Sequence, residues 1–354
     1  MSSSTFNALE AMDAPLRTWM AHHTRAELVQ EGTALIREGQ PPGRLIWIES
    51  GSARVETFSQ DGRQIELAIL GPGALVGDMS FLEQRPPVAS VLAGPDCSVM
   101  ATATTELQAA MGRDASLASA VYSLFARKLT HQLASQNSFV HRWRDTSAEP
   151  LRKALVVFAH LEEVDVEWLG RLGRRRHVES GSEVIVQGDP VPDLLVVLAG
   201  SAGVEISGQN GPVEVGSSRA GELLGEMSLL GGDDRATATV RARGPMELLA
   251  IPKDSLRERF TSDPALAARF YRAMAILLSQ RSREQLHGKG LAAATRRAEE
   301  QAWPQIPVST GKPPPEDMAL VAEEQLNMDQ MSSLSIAGQR FHWLCQSVGL
   351  PHRR

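Results

Sequence analysis

Cysteine is scarce in this sequence, with two in 354 residues. Cys97 and Cys345 stand far apart without a CxxC spacing, which argues against a disulfide framework or a cysteine zinc site and fits a reducing cytoplasm. No stretch approaches the roughly 20 apolar residues a membrane helix needs. Residues 1–16 show no basic start followed by an apolar run, so neither export nor membrane insertion is expected. Positive charge is not in excess: 36 Lys and Arg against 42 Asp and Glu leave −6, a poor balance for gripping nucleic acid nonspecifically. Catalytic signatures are missing as well. The chain has no Gly-x-Ser-x-Gly elbow, Walker loop, or kinase or cyclase motif. Its nine histidines fall outside the runs that read as strands, which argues against a metal-holding barrel enzyme. No enzyme, cofactor or metal is expected.

What is present is a repeat. Trp19 recurs as Trp168, Gly32 as Gly181, Gly39 as Gly188 and Gly51 as Gly200, each pair 149 positions apart. The shift becomes 148 for Gly73 with Gly221 and Gly77 with Gly225, and 150 for Gly94-Pro95 with Gly244-Pro245, as small loop insertions inside one shared fold would give. Between these glycines lie short apolar runs that read as strands: Leu45–Ile48, Ala53–Glu56 and Ile65–Ile69, then Leu194–Leu198, Gly203–Ile206 and Val213–Val215. Each copy ends in an amphipathic helix. The first carries Leu117, Val121, Leu124, Phe125, Leu129 and Leu133 on one face behind Asp114; the second carries Leu266, Phe270, Met274 and Leu277 behind Asp263-Pro264. The expected fold is mainly β with flanking helices: tandem double-stranded β-helix (jelly-roll) domains, each ending in a long α-helix.

The segment Gly225-Glu226-Met227-Ser228-Leu229-Leu230, a short loop, and Arg235-Ala236-Thr237-Ala238-Thr239-Val240 carries the chemistry. A glycine lets the backbone approach a ligand, a helical turn offers amides to an anion, a downstream arginine offers a forked donor, and a carboxylate can accept from a hydroxyl. That combination suits a phosphate fused to a ribose. The segment resembles the phosphate-binding cassette of cyclic-nucleotide-binding domains, the family of catabolite activator proteins and protein kinase A regulatory subunits. The resemblance covers residues 16–285 and implies that Glu226 holds a ribose 2′-hydroxyl while Gly225, Met227, Ser228 and an arginine surround the phosphate of cAMP or cGMP. Counting forward from Glu226 puts Arg235 in the arginine position; counting back from Ala238-Thr239-Val240 puts Ala236 there and Thr237, which would then favour guanine, just after it. The first copy, Gly77-Asp78-Met79-Ser80, keeps the turn, but Pro87 stands where the resemblance calls for arginine. Arg85 would have to reach around, with Ala89 beyond. The first site is accordingly expected to be degenerate and the second to be the main ligand site.

The domains are expected at residues 1–145 and 146–287, with a linker at Arg142–Pro150. Residues 288–354 read as a proline-rich linker, including Pro313-Pro314-Pro315, with short helices over Met318–Leu326 and Ile336–Val348, dispensable for folding of the rolls. A DNA-reading helix-turn-helix after the second roll is missing: the segment after Gly338, Gln339–Leu344, offers little to read base edges, so a transcription regulator is disfavoured. The cluster Arg174–His177 reads as a solvated face. The chain is thus expected to be a cyclic-nucleotide sensor or regulatory subunit that signals to an unidentified protein partner through its terminal helices. These are expected to pair either within the chain or between two chains as a homodimer, with Val121, Leu124, Phe125 and Leu129 against Phe270, Met274 and Leu277. A ligand-free scaffold is the alternative.

Overall fold

The computed structural model describes residues 6–40, 43–58, 64–137, 156–208, 211–301 and 328–350. The expected linker at 142–150, the proline run and the helix expected over Met318–Leu326 lie outside these residues.

The first roll contains β1 (Ala26–Leu28), β2 (Ala34–Ile36), β3 (Arg44–Ser50), β4 (Ala53–Phe58), β5 (Gln64–Leu70), β6 (Leu75–Val76), β7 (Ser90–Ala93) and β8 (Ser98–Ala103). They form two antiparallel sheets in the orders β1-β8-β3-β6 and β2-β7-β4-β5. The second roll repeats this plan with β9 (Arg174–Val178), β10 (Glu183–Ile185), β11 (Asp193–Ala199), β12 (Ser201–Gly208), β13 (Gly211–Arg219), β14 (Leu223–Leu224), β15 (Thr239–Ala242) and β16 (Met246–Pro252). Its sheets run β9-β16-β11-β14 and β10-β15-β12-β13. The repeated glycines sit where the backbone needs positive φ. At Gly51 and Gly200, with φ of 72° and 89°, an added Cβ would also fall 2.2 Å and 2.6 Å from the carbonyl oxygens of Asp96 and Pro245.

Why β3 and β11 read as unbroken apolar runs follows from their position between two cores. Successive strand residues point to opposite faces. Ile46 and Ile48 of β3 therefore fill the inside of the first roll, while Leu45 and Trp47 join a helical core outside it. In β11, Leu195 and Val197 face inward and Leu194, Val196 and Leu198 face the same helical core. That core is shared by both rolls.

Its centre is the pair of terminal helices. The first, Ala115–Asn137, is capped by Asp114, whose Oδ1 accepts from the N–H groups of Ser116 (2.8 Å) and Leu117 (3.2 Å). The second, Pro264–Gln301, is capped by Asp263, which accepts from the N–H of Leu266 at 3.0 Å. Val121, Leu124, Phe125 and Leu129 are buried in one cluster with Phe270, Met274 and Leu277, so of the two pairings open to these stripes it is the one within the chain that buries them. Each terminal helix also crosses to the other roll: the second packs on helix Asp78–Glu83, and the first packs on helix Glu226–Gly231.

Two expectations need correction. The C-terminal segment is not a detached tail: helix Met328–Ser347 docks on helices Val156–His160 and Glu163–Leu172, burying Ala337 and Leu344. Phe341 meets Phe158 with ring centroids 5.4 Å apart, and Arg340 donates to the carbonyls of Phe158 and Ala159, both at 3.2 Å. Histidine also enters a strand, since His177 lies in β9. The exposed Arg174–His177 segment is solvated as read, with Arg175 and His177 both bonded to Glu247 at 2.8 Å. These two partners hold the Glu247 carboxyl below its ordinary range, and Glu247 raises His177 in turn.

Candidate functional site

In both rolls a short strand runs into a glycine with left-handed backbone and then into a six-residue helix: Gly77 (φ 93°) before Asp78–Glu83, and Gly225 (φ 80°) before Glu226–Gly231. A Cβ at Gly77 would sit 2.9 Å from the Arg44 carbonyl, and one at Gly225 2.9 Å from Val191 and 3.2 Å from the Asp193 carbonyl. The turn therefore requires glycine for both dihedral and space. The carboxylate that follows is buried in each case, Asp78 at 2% exposure and Glu226 at 6%. Burial of a charge demands a partner. Lys128 of the first terminal helix donates to both Asp78 oxygens, at 2.7 and 2.8 Å. Arg281 of the second terminal helix donates to Glu226 at 2.6 Å.

The register after the cassette can be read from matching hydrogen bonds. The N–H of Gly39 donates to the Pro87 carbonyl (3.0 Å), and that of Gly188 donates to the Ala236 carbonyl (2.9 Å). Pro87 and Ala236 thus occupy the same place, and the second loop holds one extra residue. Arg235 lies one position upstream, where its Nη1 donates to the Gly188 carbonyl at 2.7 Å and its N–H to Asp233 at 3.3 Å. Thr237 follows Ala236, with its hydroxyl 3.8 Å from the sulfur of Met227. Ser228 is engaged inside the cassette: it donates to the Gly225 carbonyl (3.1 Å) and accepts from Lys253 at 2.6 Å. Lys253 is 1% exposed, and burial drives its pKa down to about 8.

A cavity of about 380 Å³ opens in the first roll, the one expected to be degenerate. Its size falls within the range of small-molecule sites. Gly77, Asp78, Met79, Ser80 and Ala89, all named from the sequence, line it, together with the apolar Val55, Leu67 and Val88. Lys128, His131 and Gln132 from the first terminal helix close one side, and Arg283 enters from the second terminal helix. Arg85 is elsewhere; it borders a separate hollow of about 290 Å³ with Thr104 and Gln108. Sequence reasoning missed Lys128, Arg281, Arg283 and Lys253. A signal existed for Lys128, because Leu117, Val121 and Leu124 make position 128 the next step of the stripe, where an apolar residue would be due.

Among the described residues no group of three His, Cys, Asp or Glu side chains could hold a metal ion, and no helix is long and apolar enough to cross a membrane.

Two β-rolls, each with a glycine-led cassette and a terminal helix supplying the cassette's counter-charge, define a tandem β-roll fold. The model of the cyclic nucleotide-binding domain matches residues 26–114 and 175–263, half of the chain, and the chain belongs to that family. It is 29% identical over 150 residues to a cyclic nucleotide-gated potassium channel of Rhizobium etli, covering 42% of this chain and 39% of the channel. Over 231 residues it is 24% identical to the cGMP-dependent protein kinase egl-4 of Caenorhabditis elegans, covering 63% of this chain and 25% of the kinase. The chain thus spans well under half the length of these relatives. Among solved structures it is similar to the regulatory domain of Toxoplasma gondii PKA with cAMP, at 20% identity and a TM-score of 0.30, covering 78% of this chain and 92% of that one. The fold is that expected from the sequence.

Proposed function

We propose that this protein is a cytoplasmic, cyclic-nucleotide-responsive regulator whose ligand occupies the first roll and whose signal passes through the paired terminal helices to a protein partner. One observation carries the reading: the first cassette borders a largely apolar cavity flanked by its own terminal helix, with Asp78 and Lys128 paired among its lining residues. A purine suits the apolar walls of Val55, Leu67 and Val88. Asp78, held by Lys128, keeps lone pairs that suit a ribose hydroxyl. Because Lys128 and His131 sit on the first terminal helix, ligand contact with them biases the position of that helix. The sequence had placed the main site in the second roll, and Thr237 directly after Ala236 still supports a guanine preference there. Val88 holds the matching place in the first roll and favours cAMP. Calorimetry of the full chain with cAMP and cGMP tests the proposal. Saturable binding of either supports it, and no binding up to millimolar nucleotide overturns it.

A second reading, a ligand-free scaffold, is favoured by a different observation. Both cassette carboxylates already hold a cation, and Pro87 and Ala236 occupy matching places, at which the resemblance calls for arginine. The same titration separates the two.

A further inference from the structure

Three charged side chains border the first cavity together with His131: Asp78, Lys128 and Arg283. Asp78 and Lys128 neutralise each other in a two-pronged contact, at 2.7 and 2.8 Å. The wall formed by Pro87, Val88 and Ala89 offers no side-chain donor. What remains for an anion is Arg283, which belongs to the other unit.

Arg283 is held in place from behind. Its Nε donates to Glu83 at 2.7 Å and its Nη1 to the Pro86 carbonyl at 3.0 Å, while Ser279, one turn earlier on the same helix, donates to the other Glu83 oxygen. The side chains of Arg283 and Glu83 are 10% and 3% exposed. Among the described residues Nη2 makes no hydrogen bond, although a guanidinium carries five N–H donors in a fixed fork. Glu83 is not among the residues that line the cavity, whereas Arg283 is, so the carboxylate that anchors the guanidinium does not itself border the space.

We infer that Arg283, carried by the second unit's terminal helix, is the phosphate-facing cation of the first roll's cavity, which makes the site complete only while the two units are docked. The inference rests on the functional reading above and deepens it: the ligand is an anionic phosphate ester, and Glu83 is a positioning residue. Ligand binding and the docking of the second terminal helix on helix Asp78–Glu83 then become linked equilibria, each strengthening the other.

The test is calorimetry on the full chain with cAMP and cGMP, each beside its uncharged nucleoside, adenosine or guanosine. In the native protein the nucleotide should bind about tenfold or more tighter than its nucleoside, as a charge-assisted forked contact gives. The double substitution Glu83→Gln with Arg283→Met removes both charges together and leaves no buried unpaired ion. It should erase most of that difference while nucleoside affinity stays unchanged, a pattern that general loosening would not produce. Arg283→Lys, which keeps the charge and loses the fork, should retain part of it and serves if the double variant does not fold. A native protein that binds nucleoside as tightly as nucleotide overturns the inference without any variant, and so does a double variant or Arg283→Lys protein with the native difference intact. If the native protein binds none of the four compounds, the functional reading itself fails and the inference with it.

Discussion

The two rolls share strand order, turn glycines and cassette geometry, yet they differ in what their terminal helices bring to the cassette. In the first, the short Asp78 is met by Lys128 beside a cavity that Arg283 of the other unit also lines. In the second, the longer Glu226 is met by Arg281, and the buried Lys253 donates to Ser228 of the cassette. The matching place in the first roll belongs to Thr104: its N–H donates to the Gly43 carbonyl at 2.9 Å, as that of Lys253 donates to the Pro192 carbonyl at 2.9 Å. One backbone plan therefore carries two electrostatic solutions. A match of cassette letters ranks the second copy higher, whereas the proposed ligand site lies at the cavity of the first.

The sharpest way to break this comparison is to ask whether the rolls are separate at all. Phe125 and Phe270 are buried in one helical core, although they belong to different units. Phe125→Ala and Phe270→Ala should each cost about 3–5 kcal/mol. Each should also lower a single unfolding transition in chemical denaturation. Two transitions, only one of them shifted, would show that the rolls fold independently.

Next in size is the C-terminal helix. Deleting residues 328–354 uncovers the faces against which Leu344 and Phe341 pack, a loss of about 3 kcal/mol at the usual value for burying two large apolar side chains partly or fully. The thermal midpoint should fall while nucleotide binding in the first roll persists. An unchanged midpoint would return the segment to the status of a dispensable tail.

Two pH responses sharpen the contrast between regions. His160, beside Arg272 and Arg340, is pushed down to about 4 by burial first and by these cations second. The unfolded chain therefore takes up a proton near pH 6.5 that the folded chain refuses. Stability is full above pH 6.5 and falls toward pH 4, by about 2 kcal/mol after allowance for partial exposure. Denaturation midpoints of His160→Gln should show a flatter profile over that window. Lys253 has the same sign in a higher range. Its folded pKa of about 8 lies below the ordinary 10.5, so stability rises as pH climbs from 8, by about 1.5 kcal/mol at pH 9.5. Lys253→Met should abolish this rise, and a native-like slope in that variant would contradict the assignment.

How much of this was legible in the sequence varies by scale. The repeat was readable because turn glycines with positive φ cannot be exchanged freely, and the central strands because Leu45–Ile48 and Leu194–Leu198 are buried on both faces. The terminal helices declared themselves through their stripes and caps. Strands of two or three residues such as β6 and β14 are too short to show alternation, so they went unread. The helix expected over Ile336–Val348 falls within helix Met328–Ser347, but its docking was not legible, since among its described residues the buried Ala337 and Leu344 stand seven residues apart, too sparse for a stripe. Arg283 could not be found from spacing, since it acts on a cassette 200 residues earlier in the chain. Pattern reading sees neighbours along one element; contacts between units carry no period.

The claim that the first roll holds the ligand is tested most directly by calorimetric titration of cAMP and cGMP against three full-length proteins: native, Asp78→Asn and Glu226→Gln. Losing the carboxylate that meets a ribose hydroxyl removes a charge-assisted hydrogen bond, about one to two decades in affinity. The account predicts that Asp78→Asn weakens the tighter binding event by that amount while Glu226→Gln leaves it in place. The opposite pattern, an intact tight event in Asp78→Asn and its loss in Glu226→Gln, would put the ligand in the second roll and contradict the account.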